Sequence, residues 1–290
     1  MNADVIADKY EVLAELGRGG MGRVYKARHR GLNKVYALKM LHEHLADDAS
    51  LIERFHNEAR IMASLHHAHI IQVFDIDRDA DRHYFVMEYI EGQTLSDVLK
   101  HRAPLPLAEV IRISSQISQA LDYAHRQEPP IIHRDIKPSN IMLEAGTDRV
   151  VVTDFGIAKL LDTESTRHTL TGFTVGTPSY AAPEQLRSTS DLDGRADIFP
   201  LGLVMYEMLA GRALFENMTP EEIIGQKLFD PRELTPAFDT SVPTGLQQII
   251  RRAIAKNREQ RYPSVAALLD DLQQLGAGTL STATSPTQSP

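Results

Sequence analysis

His133-Arg134-Asp135-Ile136-Lys137-Pro138-Ser139-Asn140 puts an acid, two bases and an amide within one short loop. Asp154-Phe155-Gly156 follows it, behind the apolar and β-branched run Val150-Val151-Val152-Thr153. A carboxylate that orients a hydroxyl, a lysine that meets a phosphate and an Asn/Asp pair that holds divalent metal are the parts phosphoryl transfer needs. Eight residues can match by chance. The reading therefore turns on whether the rest of the chain supplies the remaining parts in order.

The composition sets broad limits. The chain has 290 residues, 42% hydrophobic and 24% charged, which is ordinary for a globular protein with a sizeable core. A net charge of −8 gives no basic footprint, so nucleic acid is not expected as a partner. The absence of cysteine rules out disulfides, thiolate metal sites and a cysteine nucleophile, and fits a reducing compartment. No apolar run approaches the roughly 18 residues of a membrane span. Residues 1–8 lack the basic-then-apolar pattern of a signal peptide.

Outward from the loop, the first third reads as strands and the remainder as helices. Residues 10–16 lead into Gly17-Arg18-Gly19-Gly20-Met21-Gly22, and residues 24–27 and 35–39 read as strands around a turn near Gly31-Leu32-Asn33. Leu51, Phe55, Ala59, Ile61, Met62 and Leu65 recur at helical spacing. Two further strands are expected over residues 70–75 and 84–89. Beyond Glu91-Gly92 helical periodicity takes over, including residues 107–126 with Ile111, Ile113, Ile117, Leu121 and Ala124 facing a core, then residues 201–209 and 244–254. Two lobes joined by a short hinge are expected, about 10–90 and about 91–275. Residues 276–290 are rich in Gly, Ser, Thr and Pro and read as a disordered tail or linker stub.

Gly17-x-Gly19-x-x-Gly22-x-Val24 is a weak signal alone, because the same spacing marks dinucleotide-binding turns and glycines also serve plain tight turns. A dinucleotide turn needs a strand followed by a helix. Here a second strand follows, so the glycines sit in a hairpin that can fold over phosphates. Lys39 ends an apolar strand and needs an anion or water, and Glu58 on the next helix can pair with it. Asp135 is the candidate to orient a substrate hydroxyl, Lys137 to neutralise the transferring group, and Asn140 and Asp154 to ligate a hard cation such as Mg²⁺. His66, His67 and His69 lack acidic or cysteine company, so packing is preferred to metal binding.

With these parts in order, the chain resembles the protein kinase superfamily over about residues 10–275. The matching elements are the glycine-rich loop ending at Val24, Lys39, Glu58, His133 to Asn140, Asp154-Phe155-Gly156 and Ala182-Pro183-Glu184. Asp197 and Arg261 fall where the family has a helix-anchoring aspartate and the arginine that pairs with the Ala-Pro-Glu glutamate. The implied fold is α+β and bilobal, with a small antiparallel-sheet lobe carrying one key helix and a larger helical lobe. Gly-Arg-Gly-Gly-Met-Gly-Arg-Val-Tyr is similar to bacterial Ser/Thr kinases of eukaryotic type. Lys137 and Gly176-Thr177-Pro178-x-Tyr180 resemble members directed to Ser/Thr.

The resemblance implies ATP with Mg²⁺ or Mn²⁺, protein substrates and a homodimer for trans-autophosphorylation. It implies nucleotide contacts from Leu16, Gly17, Arg18, Gly19, Gly20, Met21, Gly22 and Lys39 with Glu58. Val24, Ala37 and Met142 would sandwich the base, with Met87 behind it and Glu88 to Ile90 as the hinge. Thr177 would lie on the substrate side. Arg134 beside Asp135 implies control by phosphorylation of the segment from Asp154 to Glu184, where Thr169 and Thr171 are the expected sites. By the same analogy the domain is cytoplasmic, and its tail fits one domain of a longer, membrane-anchored protein.

One departure stands out. Pro200 occupies a place where relatives carry a small residue inside a helix, and proline there removes a helical N–H bond, which puts the anchoring role of Asp197 at issue. A pseudokinase would lack at least one of Lys39, Asp135, Asn140 and Asp154, and all four are present. Small-molecule kinases of similar fold lack the Gly-Thr-Pro and Ala-Pro-Glu segment found here.

Overall fold

The structure, a computed structural model, describes residues 5–155, 178–187 and 191–283, with side chains as far as 277. The chain divides into two compact units, Met1–Glu91 with Phe155–Val175, and Gly92–Asp154 with Gly176–Pro290.

The first unit is an antiparallel sheet with one helix. Strands β1 (Val5–Ile6), β2 (Tyr10–Arg18), β3 (Gly22–His29), β4 (Lys34–Leu41), β5 (Val73–Asp79) and β6 (Arg82–Glu88) lie in the order β1-β2-β3-β4-β6-β5. Its core gathers Ile6, Tyr10, Ala27, Leu38, Tyr84 and Val86, with Tyr10 edge-on to Tyr36 and Tyr84. Helix α1 (Ala49–Ser64) begins where Asp48 accepts the Ser50 and Leu51 N–H groups, an N-cap that satisfies two orphan donors. Phe55, Ala59 and Met62 form its fully buried stripe, and the Phe55 ring meets that of Phe85 on β6 at 5.1 Å. The strand expected over 70–75 is displaced. Ile70 and Ile71 are buried ahead of the ladder, which starts at Val73 and runs to Asp79. Ile70 makes only an isolated bridge, so the apolar run there marks burial more than ladder pairing.

The second unit opens with β7 (Gly92–Thr94), which pairs with β8 (Ile141–Glu144), itself paired with β9 (Val150–Val152). Helices α2 (Leu95–Arg102), α3 (Leu107–His125), α4 (Pro183–Leu186), α5 (Arg195–Ala210), α6 (Pro220–Leu228), α7 (Thr244–Ala253) and α8 (Val265–Ala283) follow, with short 3₁₀ turns at Pro138–Asn140 and Arg258–Gln260. On α3, Ile113, Ile117, Leu121 and Ala124 are fully buried as the periodicity predicted, while Ile111 is half-buried.

Two expectations change here. Helix α5 starts at Arg195 and continues through Pro200 without a break. Residues 196–206 are all buried, so packing on every side outweighs the hydrogen bond lost at the proline. Helix α8 runs to Ala283, past the point where a tail was expected at 276. Leu268 and Leu272 are fully buried, and at Gly276 the helix passes close to Ile111 of α3, 3.4 Å from where a Cβ would stand. Residues 284–290 lie outside the described residues.

The β3–β4 register sets Gly22 opposite Leu41, and a Cβ on Gly22 would sit 2.1 Å from the Met40 carbonyl oxygen. A Cβ on Gly17 would meet nothing within 4 Å. Gly22→Ala should therefore destabilise by about 1–3 kcal/mol or more, the cost of overpacking against backbone. Gly17→Ala should stay within about 0.5 kcal/mol. Urea unfolding midpoints of the two variants check the contrast.

Candidate active site

In the first unit the glycines lie in a strand–turn–strand hairpin, not at a helix start. The Gly19 N–H donates to the Gly22 carbonyl at 2.8 Å, closing the turn. His42, just beyond β4, holds the turn from outside: its N–H donates to Met21 O at 3.0 Å, and its Nε2 donates to Gly19 O at 2.9 Å. Neither packing nor backbone conformation demands glycine at 17 or 19, so their use needs another reason. Leu16, Gly17, Arg18, Gly19 and Gly20 are exposed, Met21 and Val24 half-buried. On β4, Ala37 is buried opposite Met87 of β6. Two residues on, Lys39 Nζ meets Glu58 Oε1 of α1 at 2.8 Å, with 14% and 5% of the two side chains exposed. Glu88 is half-buried and Ile90 buried. Met142 lies on β8 and so belongs to the second unit, as do all the residues of the 133–140 loop.

In that loop, Asp135 Oδ2 receives Lys137 Nζ at 2.8 Å and Asn140 Nδ2 at 3.0 Å, and Asn140 Nδ2 also donates to the Asp135 carbonyl at 2.9 Å. Asn140 thus spends its amide hydrogens on Asp135, which turns its Oδ1 into the side chain's acceptor end. The Thr153 N–H donates to Asn140 O at 2.9 Å, carrying the β9 end, and with it Asp154, to the Asn140 backbone. An amide oxygen and a carboxylate at such neighbouring positions suit a hard divalent cation.

A buried carboxylate holds the loop. Asp197, fully buried in the first turn of α5, accepts the His133 N–H at 2.8 Å and the Arg134 N–H at 2.7 Å, and His125 Nε2 lies 2.8 Å from it. Arg134 adopts φ 66°, which lets consecutive N–H groups converge on one carboxylate. Burial alone would raise the Asp197 pKa. The His125 bond and the backbone donors prevail and hold it below the ordinary aspartate value. Pro200 therefore leaves the anchor intact. His133 is fully buried as well. Its Nδ1 accepts the Asp135 N–H at 3.2 Å, so the neutral ring carries its proton on Nε2 and donates to Thr153 O at 3.0 Å. Burial pushes its pKa below the usual histidine value.

The segment that follows the chain to Ala182-Pro183-Glu184 is fastened at several points. Arg261 grips Glu184 with two bonds of 2.6 and 2.9 Å, and also donates to the carbonyls of Ala255 and Arg195. Gln185 Nε2 donates to Arg134 O at 2.9 Å, and the Tyr180 hydroxyl donates to Glu207. Gly156, Thr169, Thr171 and Thr177 lie outside the described residues. His42, His125, Gln185 and Lys227 are functional neighbours that sequence reading did not find. His66 and His69 engage Gln72 and His67 respectively.

Comparison with known proteins agrees with this geometry. The protein kinase domain family matches residues 10–272. A probable serine/threonine-protein kinase of Clostridium perfringens is 36% identical over 280 residues, covering 95% of this chain and 39% of the relative. Serine/threonine-protein kinase Pkn1 of Myxococcus xanthus is 38% identical, covering 91% and 38%. The crystal structure of the Mycobacterium tuberculosis PknI kinase domain superposes with a TM-score of 0.71 at 30% identity, covering 94% of this chain and 98% of that one. The chain belongs to the protein kinase family, with the bilobal kinase fold and bacterial Ser/Thr kinases as its relatives. It spans roughly two-fifths of the length of these curated relatives.

The buried neutral His133 gives a pH dependence of definite sign. Its folded pKa lies below its unfolded one, so its stabilisation is present above about pH 6.5 and is lost as pH falls through that range. His56 and His67 are shifted the same way by burial. Urea midpoints should drop between about pH 7 and 5, each group contributing at most ~1.4 kcal/mol per pH unit. The slope should lessen in His133→Gln. An unchanged slope would assign it to the other two histidines.

Proposed function

We propose that this domain transfers the γ-phosphoryl group of ATP to Ser or Thr hydroxyls of protein substrates, using Mg²⁺, with Mn²⁺ as a substitute. The observation that carries the reading is the Asp135 carboxylate, gripped by Lys137 and Asn140 in a loop hung from Asp197. Asp135 orients the acceptor hydroxyl and takes its proton, while Lys137 meets the charge on the transferring group. Lys39, held by Glu58, positions the α- and β-phosphates beneath the loop of Gly17 to Gly22. Leu16, Val24, Ala37, Met87, Glu88, Ile90 and Met142 bind the base. Asn140 and Asp154 hold the metal, which neutralises phosphate charge when bound. By analogy with the family, Thr177 serves the substrate side.

The same reading includes autophosphorylation of Thr169 and Thr171 between two copies of the chain. Its support is the Arg134 guanidinium, whose Nε is buried and without an acceptor among the described residues. A phosphate would supply one. By analogy with the family, we infer a cytoplasmic setting for this domain within a longer, membrane-anchored protein.

Radiolabelled ATP with a generic basic protein tests the transfer. Asp135→Asn and Lys39→Met should each lower labelling by a factor on the order of 10² or more. Labelling equal to wild type in either variant overturns the assignment. Mass spectrometry after incubation with Mg-ATP should find phosphate on Thr169 and Thr171, and its absence there would remove those two sites from the reading.

A further inference from the structure

Helix α6 carries a lysine that the proposed chemistry does not use. Lys227 is 1% exposed, yet its ammonium has three acceptors: the carbonyl oxygens of Pro178 at 2.7 Å, Ser179 at 2.7 Å and Ala181 at 2.8 Å. An ammonium has three N–H groups, so every one is used. The rings of Phe199 and Phe215 flank it at 5.1 and 4.6 Å from their centroids. Burying a lone cation is costly, and a plain apolar side chain would fill the same space. A buried charge placed against three carbonyls of one four-residue segment points to control of that segment's path. Burial, and after it the charge of nearby Arg261, pull the ammonium's pKa well below the ordinary lysine value.

We propose that Lys227 is the positioning residue of the acceptor platform, fixing the backbone of residues 178–181 by donating to three of its carbonyls. The proposal rests on the kinase reading, in which Thr177, next in sequence to this segment, serves the substrate side. Tyr180, within the same segment, is tied independently to Glu207 of α5, and Glu184 just beyond it to Arg261. Those two bonds hold side chains. Lys227 alone among the described residues takes three carbonyls of the segment, and so sets the course of its main chain. It touches none of the reacting groups and acts only through the segment.

Lys227→Met keeps an unbranched side chain one atom shorter and removes all three donors. Steady-state kinetics with an acceptor peptide should show a peptide KM raised about tenfold, equivalent to roughly 1.4 kcal/mol. The KM for ATP should remain within about twofold of wild type, a split that a general loss of folded protein does not produce. Amide hydrogen exchange should quicken at residues 178–187 while α5 keeps its wild-type protection. An unchanged peptide KM, or unchanged exchange at 178–187, overturns the proposal. If Lys227→Met does not fold, Lys227→Gln, which keeps two N–H donors on a shorter stem, is judged by the same criteria. Should the wild-type protein transfer no phosphate, the kinase reading fails, and the exchange measurement still decides whether Lys227 fixes the segment.

Discussion

The second unit depends on one carboxylate. Asp197 has no solvent around it, and the bonds of its two oxygens run to His125 on α3 and to the backbone of His133 and Arg134. Two helices and the loop that carries Asp135, Lys137 and Asn140 therefore meet at a single charge. Removing that charge would strand two backbone N–H groups and an imidazole, each costing about 1–3 kcal/mol when buried without a partner. Apart from one 3₁₀ turn at Pro138–Asn140, the loop has no regular secondary structure to hold it. Its shape is the shape this carboxylate imposes, including the left-handed conformation at Arg134.

The same device recurs wherever an irregular segment must be held. Arg261 is buried and spends its guanidinium on Glu184 and three carbonyls. Lys227 spends its ammonium on three more. In the first unit, Lys39 and Glu58 join β4 to α1 through a nearly buried pair. Buried ion pairs add little net stability, because desolvation offsets most of the attraction, yet breaking one by removing a single partner costs about 3–5 kcal/mol. Such groups specify more than they stabilise. A segment tied to a buried charge has one satisfied arrangement, and every alternative leaves the charge unpaired.

This explains which parts were legible in the sequence. Strand alternation and helical periodicity located β2, β3, β4, α1 and α3, because each buries one face and the burial imposes its period. The Lys39–Glu58 pair was readable because a lysine ending an apolar strand needs an anion and the next helix offers a glutamate, whereas the Glu184–Arg261 pair was readable only through family likeness. His125 was invisible, as its partner lies 72 residues away and a histidine ending a helix reads as a favourable surface charge. Lys227 was hidden for the same reason: near the C-terminus of α6, it matches the ordinary placement of a solvated cation. Ile70 and Ile71 misled in the opposite way, because apolar runs report burial without reporting hydrogen bonding.

Pro200 brings the two kinds of information into conflict and shows which prevails. Local rules count an interior proline at about 3 kcal/mol against a helix. Yet α5 is enclosed along most of its length, so unravelling the turn around Pro200 would expose Phe199, Leu201 and Leu203 together. At about 25 cal/mol per Å², one such side chain is worth about 1.5–3 kcal/mol, and several exceed the proline's cost. The lost N–H bond falls within the helix interior, while Asp197, three residues earlier, makes its contacts with side-chain oxygens that do not depend on it. The proline thus weakens a part of the helix that packing over-determines and spares the part on which the loop hangs.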